Sequence, residues 1–139
     1  KLLFPPIRMA NEAILVFETE RPIPMTCADG ATIEKGALLT MTDPFTVITS
    51  AADNTVFAGI AAEEKVSGDG KVKIPVYRRG IFKLVVDAGD ITTFGCDCVV
   101  RAANAIGLYD TLDDEKGLVV GQALETGAAG ETVLVAVGG

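Results

Sequence analysis

The sequence predicts a mainly β protein, a small β-barrel or β-tulip built from two related halves, with an extended N-terminal arm and at most one or two short helical turns. Three observations predict it. Short runs of Val, Ile, Thr and Phe alternate with turn residues about every 8 to 12 positions, the rhythm of a sandwich or barrel. Long amphipathic periods of a helix are absent. A set of segments also recurs, in the same order, in both halves of the chain.

Four prolines, Pro5, Pro6, Pro22 and Pro24, fall among the first 24 residues. Proline fixes φ and donates no hydrogen bond, so residues 1–24 read as an extended arm outside any sheet, and 25–139 as the β-rich domain. The apolar side chains Leu2, Leu3, Phe4 and Ile7 on that arm ask for a surface to cover them; the plainer reading of residues 1–8 is a terminus without a task.

The repeat begins after the arm. Ile33 to Leu39, Phe57 to Glu63 and Gly68 to Ile74 match Ile91 to Val99, Val119 to Glu125 and Ala128 to Leu134. This gives halves of about 30–76 and 87–137. Gly36 and Gly95 suit turns at positive φ, and Gly59 and Gly121 suit close backbone approach or a bulge.

Within the halves, Val72, Ile74 and Val76 alternate with Lys71, Lys73 and Pro75, and the proline predicts an edge strand. Ser67-Gly68-Asp69-Gly70 has the composition of a hairpin turn joining that strand to Gly59–Val66. Ile81 to Val86 and Glu131 to Val137 alternate in the same way and predict strands. The helical turns would start at Ser50-Ala51-Ala52-Asp53 and at Thr111 to Glu115.

Composition excludes several functions. Twelve basic residues face nineteen acids, a formal net charge of −7, which argues against an electrostatic grip on nucleic acid or anionic lipid. There is no His, so the commonest general base and metal ligand are missing. Ser50 and Ser67 therefore lack the partner of a Ser-His pair. The pairs Glu63-Glu64 and Asp113-Asp114 fail as glycosidase carboxylates, because neighbours on a strand face opposite ways. The chain is expected not to be an enzyme and to carry no cofactor or metal.

No apolar run reaches the ~18 to 20 residues of a membrane helix, and no secretory signal is legible. Three cysteines are too few for a disulfide scaffold and point to reduced thiols made in a cytoplasm. Cys96-Asp97-Cys98 places two thiols on one side of a strand, but zinc asks for more ligands than Cys27 supplies, so small buried residues are the simpler account. A bridge from Cys27 to one of the pair stays open. Asp110, Asp113, Asp114 and Glu115 lack the order of a calcium loop and read as a solvated loop.

Charge is uneven along the chain. Lys65, Lys71, Lys73, Arg78, Arg79 and Lys83 stand against the single acid Asp69 between positions 65 and 83. Arg78 and Arg79 are the expected anchors for an acidic protein surface, since the guanidinium fork suits carboxylates, while Lys71 and Lys73 read as protectors of a sheet edge.

Taken together, "IEKGALLTM", "VFAGIAAEE", "RRGIFKL", "ITTFGCDCVV" and above all "VVGQALETGAAGETVLVAV" resemble the head decoration, or capsid cement, proteins of tailed bacteriophages. The resemblance covers about residues 28 to 137. It implies a non-enzymatic virion protein, made in the host cytoplasm, that sits on the outer surface of an icosahedral capsid. There it would cement neighbouring major capsid subunits and stabilise the expanded, DNA-filled head. The partners it implies are the major capsid protein and the chain itself as a homotrimer, with no nucleic acid and no membrane. Leu3, Phe4, Pro5, Pro6 and Ile7 of the arm, with Arg78 and Arg79, are the candidate capsid or subunit interface. The alternatives are a receptor- or carbohydrate-binding module displayed on the capsid, for which the longer loops offer only Phe45 and Tyr109, and a small metal-binding or thiol protein of the host.

Overall fold

The computed structural model describes residues 12–50, 56–87, 91, 94–108 and 119–138. They form strands β1 (Ile14–Phe17), β2 (Ile23–Thr26), β3 (Leu38–Asp43), β4 (Thr46–Thr49), β5 (Gly59–Ala61), β6 (Lys73–Tyr77), β7 (Gly80–Val86), β8 (Asp97–Ala102), β9 (Ala105–Leu108), β10 (Val119–Ala123) and β11 (Thr132–Val137). No helix occurs among them. The two suggested helical turns fall on 51–53 and 111–115, outside the described residues apart from Ser50.

Two-residue alternation drives the strands into closed rings. In β7, Phe82, Leu84 and Val86 are buried while Lys83 is exposed; in β11, Val133, Val135 and Val137 are buried. An apolar face of this kind has to meet another, and closing the sheet does so while removing its edges. The first ring is a closed barrel in the order β2-β4-β3-β5-β6. The second runs β7-β11-β10-β8-β9 and closes through a parallel pairing of β7 with β9.

The rings are copies of one another. In each, the first strand runs parallel to the third and antiparallel to the fifth, and the second pairs with the third and fourth. The registers agree as well. Met41 opposite Val47, then Asp43 opposite Thr46, repeats as Val100 opposite Ile106, then Ala102 opposite Ala105, with the ladder shifting at the same place. Gly36 and Gly95 occupy equivalent turns at φ 86° and 83°. At Gly121 a Cβ would run into the backbone carbonyl of Ala136, so the close approach there admits only glycine.

The structural repeat includes two strands more per unit than the matched segments, β2 and β4 in the first and β7 and β9 in the second. It also corrects the match by one residue near the end of each half. Met25 pairs with Ile74, and Leu84 with Val133, so Ile74 corresponds to Val133 rather than Leu134. The turn before β6 is the longer of the two: the bridge Ile33–Lys65 precedes the bond Cys27 N–H to Val72 C=O, where Ile91–Gly127 precedes Val86 N–H to Glu131 C=O. Aligning glycines across turns of unequal length slips the register, and a one-residue slip exchanges inward and outward faces.

Two proline expectations are overturned. Pro75 does not mark an edge, since β6 pairs with β2 on one side and β5 on the other. Pro24 lies inside the barrel, in β2, directly opposite Pro75. Opposed residues in an antiparallel ladder alternate between exchanging two hydrogen bonds and exchanging none, and a pair without N–H groups fits the second kind. On its other side Pro75 lies just past the end of β5, where only its carbonyl is used, accepting from the Ala62 N–H at 3.0 Å. Lys73 therefore does not guard a sheet edge.

Strand β1 straps the two units together. The Ala13 N–H donates to Gly36 C=O of the first barrel (2.8 Å), and Ile14, Leu15 and Phe17 then pair with Lys83, Phe82 and Ile81 of the second. The equivalent edge of the first barrel is Pro22-Ile23-Pro24. Two missing donors close it to any added strand.

Each barrel has its own core. Met25, Cys27, Ile33, Leu39, Val47, Ile74 and Val76 fill the first; Phe82, Leu84, Val100, Ile106, Val120, Val133 and Val135 fill the second. Leu38 and Ile60 are the exceptions. Adjacent strand residues face opposite ways, so these two turn away from the first core and bury themselves in the cluster of the second. The Leu38 N–H there donates to Asn104 Oδ1 at 3.1 Å. Replacing Asn104 with Gly retains the left-handed backbone at φ 57° and removes the acceptor, and is expected to lower unfolding stability by about 1–3 kcal/mol, read from urea denaturation.

Candidate interaction surface

Three places concentrate polar chemistry: the inter-barrel linker, a groove beneath the strap, and a buried lysine. The linker is short. β6 ends at Tyr77 and β7 starts at Gly80, so Arg78 and Arg79 alone connect the barrels. Both are exposed, and Arg79 Nε lies 3.9 Å from Glu20 Oε2, an ion pair that contributes little in solvent. The turn is held from the second barrel, where Gly138 packs against the Arg78 carbonyl so closely that a Cβ would collide with it. Leu3, Phe4, Pro5, Pro6 and Ile7 lie outside the described residues, as do Tyr109 and the acids 110–115.

A groove of about 740 Å³ lies between strap and barrels, lined by Glu12, Leu15, Glu34, Lys35, Glu64 and Tyr77 among others. Tyr77 also meets Phe82 edge to face, with ring centroids 5.5 Å apart. That contact spans the linker and is a further junction between the barrels.

Lys65 corrects the picture of an uninterrupted basic surface. Its side chain is 0% exposed. The ammonium has three hydrogens and donates to Asp69 Oδ1 (2.7 Å), Asp29 C=O (2.9 Å) and Val66 C=O (3.2 Å), with Asp29 Oδ1 at 3.5 Å. Asp69 is shared further, accepting from the Lys71 N–H (2.9 Å) and the Val66 N–H (3.2 Å). The long turn before β6 is thus tied by a satisfied ionic knot, and Gly127 occupies the equivalent of Lys65 in the shorter turn. Between positions 65 and 83 the exposed basic set is Lys71, Lys73, Arg78, Arg79 and Lys83. Nothing local in the sequence separates a buried lysine from a surface one; Asp69 at i+4 is the available signal.

Burial alone pulls the Lys65 ammonium down, but the hydrogen bond to Asp69 and the charges of Asp69 and Asp29 outweigh it, and the net shift is upward. The Lys65 hydrogen bond, then the Lys71 and Val66 backbone donors, hold Asp69 down at about 2.

The cysteines separate. Cys27 belongs to the first core and Cys98 to the second, and all three thiols are free. Burial, then the neighbouring Cys96, pushes the Cys98 thiol up to about 12, and burial also raises Cys27 and Cys96. Thiols held protonated are poor nucleophiles and poor metal ligands. Among the described residues no group of three or more Cys, Asp or Glu is arranged to hold a metal.

Comparison with solved structures places the fold. The chain superposes on "The crystal structure of head fiber gp8.5 N base in bacteriophage phi29" with a TM-score of 0.52 and 18% sequence identity, over 83% of this chain and 91% of that one. No protein-family model matches the sequence, and no curated protein does. The likeness is one of fold, and the fold is the tandem of barrels described above.

The knot sets a pH dependence. A carboxylate held below its unfolded value of about 3.9 adds stability that is complete above that value and is lost as pH falls towards about 2. Replacing Asp69 with Asn is therefore expected to lower the thermal midpoint at pH 7. The gap to the parent should narrow between about pH 4 and pH 2, followed by thermal melts across that range.

Proposed function

We propose that this chain is a non-enzymatic structural protein of a tailed-phage virion, attached to the outer surface of the capsid shell. One observation carries the reading: the chain shares its fold with the phi29 head fiber base over most of both chains. The rest of the molecule agrees with it. Glycine, valine and alanine build two rigid barrels, the polar chemistry is spent on an internal knot, and exposed apolar side chains such as Phe17, Phe45 and Phe94 remain on the outside. Such a body is suited to adhere rather than to react.

Within that reading, the chain cements neighbouring major capsid subunits and works as a homotrimer, with residues 3–7 and the Arg78-Arg79 linker as contacts. Arg78 and Arg79 support it by their position, exposed on the joint between two rigid units, where a bidentate contact to carboxylates costs little ordering. The arm is best tested by a short truncation, because removal through residue 24 takes away β1 and half of β2.

The test is sedimentation of the protein with undecorated shells of its phage, both expanded and unexpanded. Attachment to expanded shells at micromolar concentration is expected; attachment to neither form overturns the reading. Deletion of residues 1–8 is expected to leave the melting curve unchanged and to weaken attachment, and unchanged attachment would remove the arm from the contact.

A further inference from the structure

The repeat equates two hairpin tips whose surroundings are opposite. Phe45 at the β3–β4 tip and Asn104 at the β8–β9 tip occupy the same place in their registers and share φ 57°. Asn104 is 0% exposed and accepts from the Leu38 N–H of the first barrel, and Val100 beside it is 1% exposed, in the buried cluster that also takes in Leu38 and Ile60. Phe45 is 53% exposed, and Met41, the equivalent of Val100, 36%.

A left-handed backbone is tolerated by Asn and unfavourable for a bulky aromatic. The tip nevertheless holds Phe45 there. Its carbonyl accepts from the Thr26 N–H at 3.0 Å, and Thr46 Oγ1 donates to the Pro44 carbonyl at 3.1 Å. The ring is thus presented outward from an anchored turn, at the position where the sister hairpin makes its contact.

We propose that the β3–β4 tip, through Phe45 and Met41, docks on a partner protein of different sequence. That partner offers two adjacent aliphatic side chains on paired β-strands, as Leu38 and Ile60 do for the tip at Asn104. The intrachain joint is the template. A second copy of this chain does not supply the seat. Its Leu38–Ile60 pair is already covered by its own second barrel, and the equivalent pair there is Asp97 opposite Gln122, both exposed and polar. An aromatic pressed on that pair would strip water from a carboxylate without pairing it. The repeat is therefore broken where self-assembly would otherwise propagate head to tail. The inference rests on the capsid reading, under which the partner is the shell subunit.

The decisive variant is Phe45→Asn, which gives the first tip the residue of the second. It relieves the backbone, so the thermal midpoint is expected to stay level or rise, while attachment to expanded shells weakens by about tenfold or more, as for loss of an aromatic anchor. Met41→Thr is expected to weaken attachment in the same direction. Val66→Ser, at an equally exposed apolar residue on the turn before β6, is the control and should attach as the parent does. Parent-like attachment by Phe45→Asn overturns the inference and leaves the capsid reading standing, as does an equal loss in Val66→Ser. Failure of the parent to attach to any shell overturns both.

Discussion

The molecule depends on the exchange of two side chains between its halves. Leu38 and Ile60 belong by sequence to the first barrel and by packing to the second, and the Leu38 N–H is satisfied by Asn104. A barrel of five short strands encloses a small core, and small cores are marginal. Lending two aliphatic side chains to the neighbour enlarges one core and fixes the angle between the units at the same time. The strap and the Tyr77–Phe82 contact then act on an arrangement that this exchange has already set.

Duplication leaves a second problem, since anything one barrel binds its copy offers to bind as well. The chain departs from its repeat at three such places. Pro22 and Pro24 remove donors from the edge that, in the second barrel, accepts β1. Asp97 and Gln122 replace the apolar pair that receives a hairpin tip. Lys65, held by Asp69 and Asp29, closes a longer turn where the second barrel has Gly127. The first two departures remove an attractive surface, and edge strands and apolar faces are the usual sources of unwanted association. The asymmetry is thus a means of making a duplicated fold monovalent at each contact.

The same asymmetry bears on function. Burial holds the thiols protonated, and the buried lysine is paired with a carboxylate. What the molecule offers outward is rigid surface. Under the proposed attachment to a shell, anchored side chains that lose little freedom on contact are favoured, and the Arg78-Arg79 linker and the tip at Phe45 are exposed features of that kind among the described residues.

Much of this was legible beforehand. Alternation in Ile81–Val86 and Glu131–Val137 determined two strands and their inward faces, the spaced glycines determined turns and close approaches, and the recurrence of segments determined that the chain is a tandem of related β units. Composition determined the absence of histidine chemistry. Only the tertiary structure decided the rest. Pro24 reads locally as part of an arm outside any sheet and Pro75 as an edge signal, and both are barrel residues because each faces the other where the ladder needs no donor. Lys65 read as surface charge, and became an interior tie because Asp29, distant in sequence, arrives beside it. Leu38 lies in a repeat segment of the first half, and packs in the second. The physical reason is common to all three. Period and propensity act between near neighbours and reveal which way a side chain points, whereas the partner that meets it is chosen by how the chain closes.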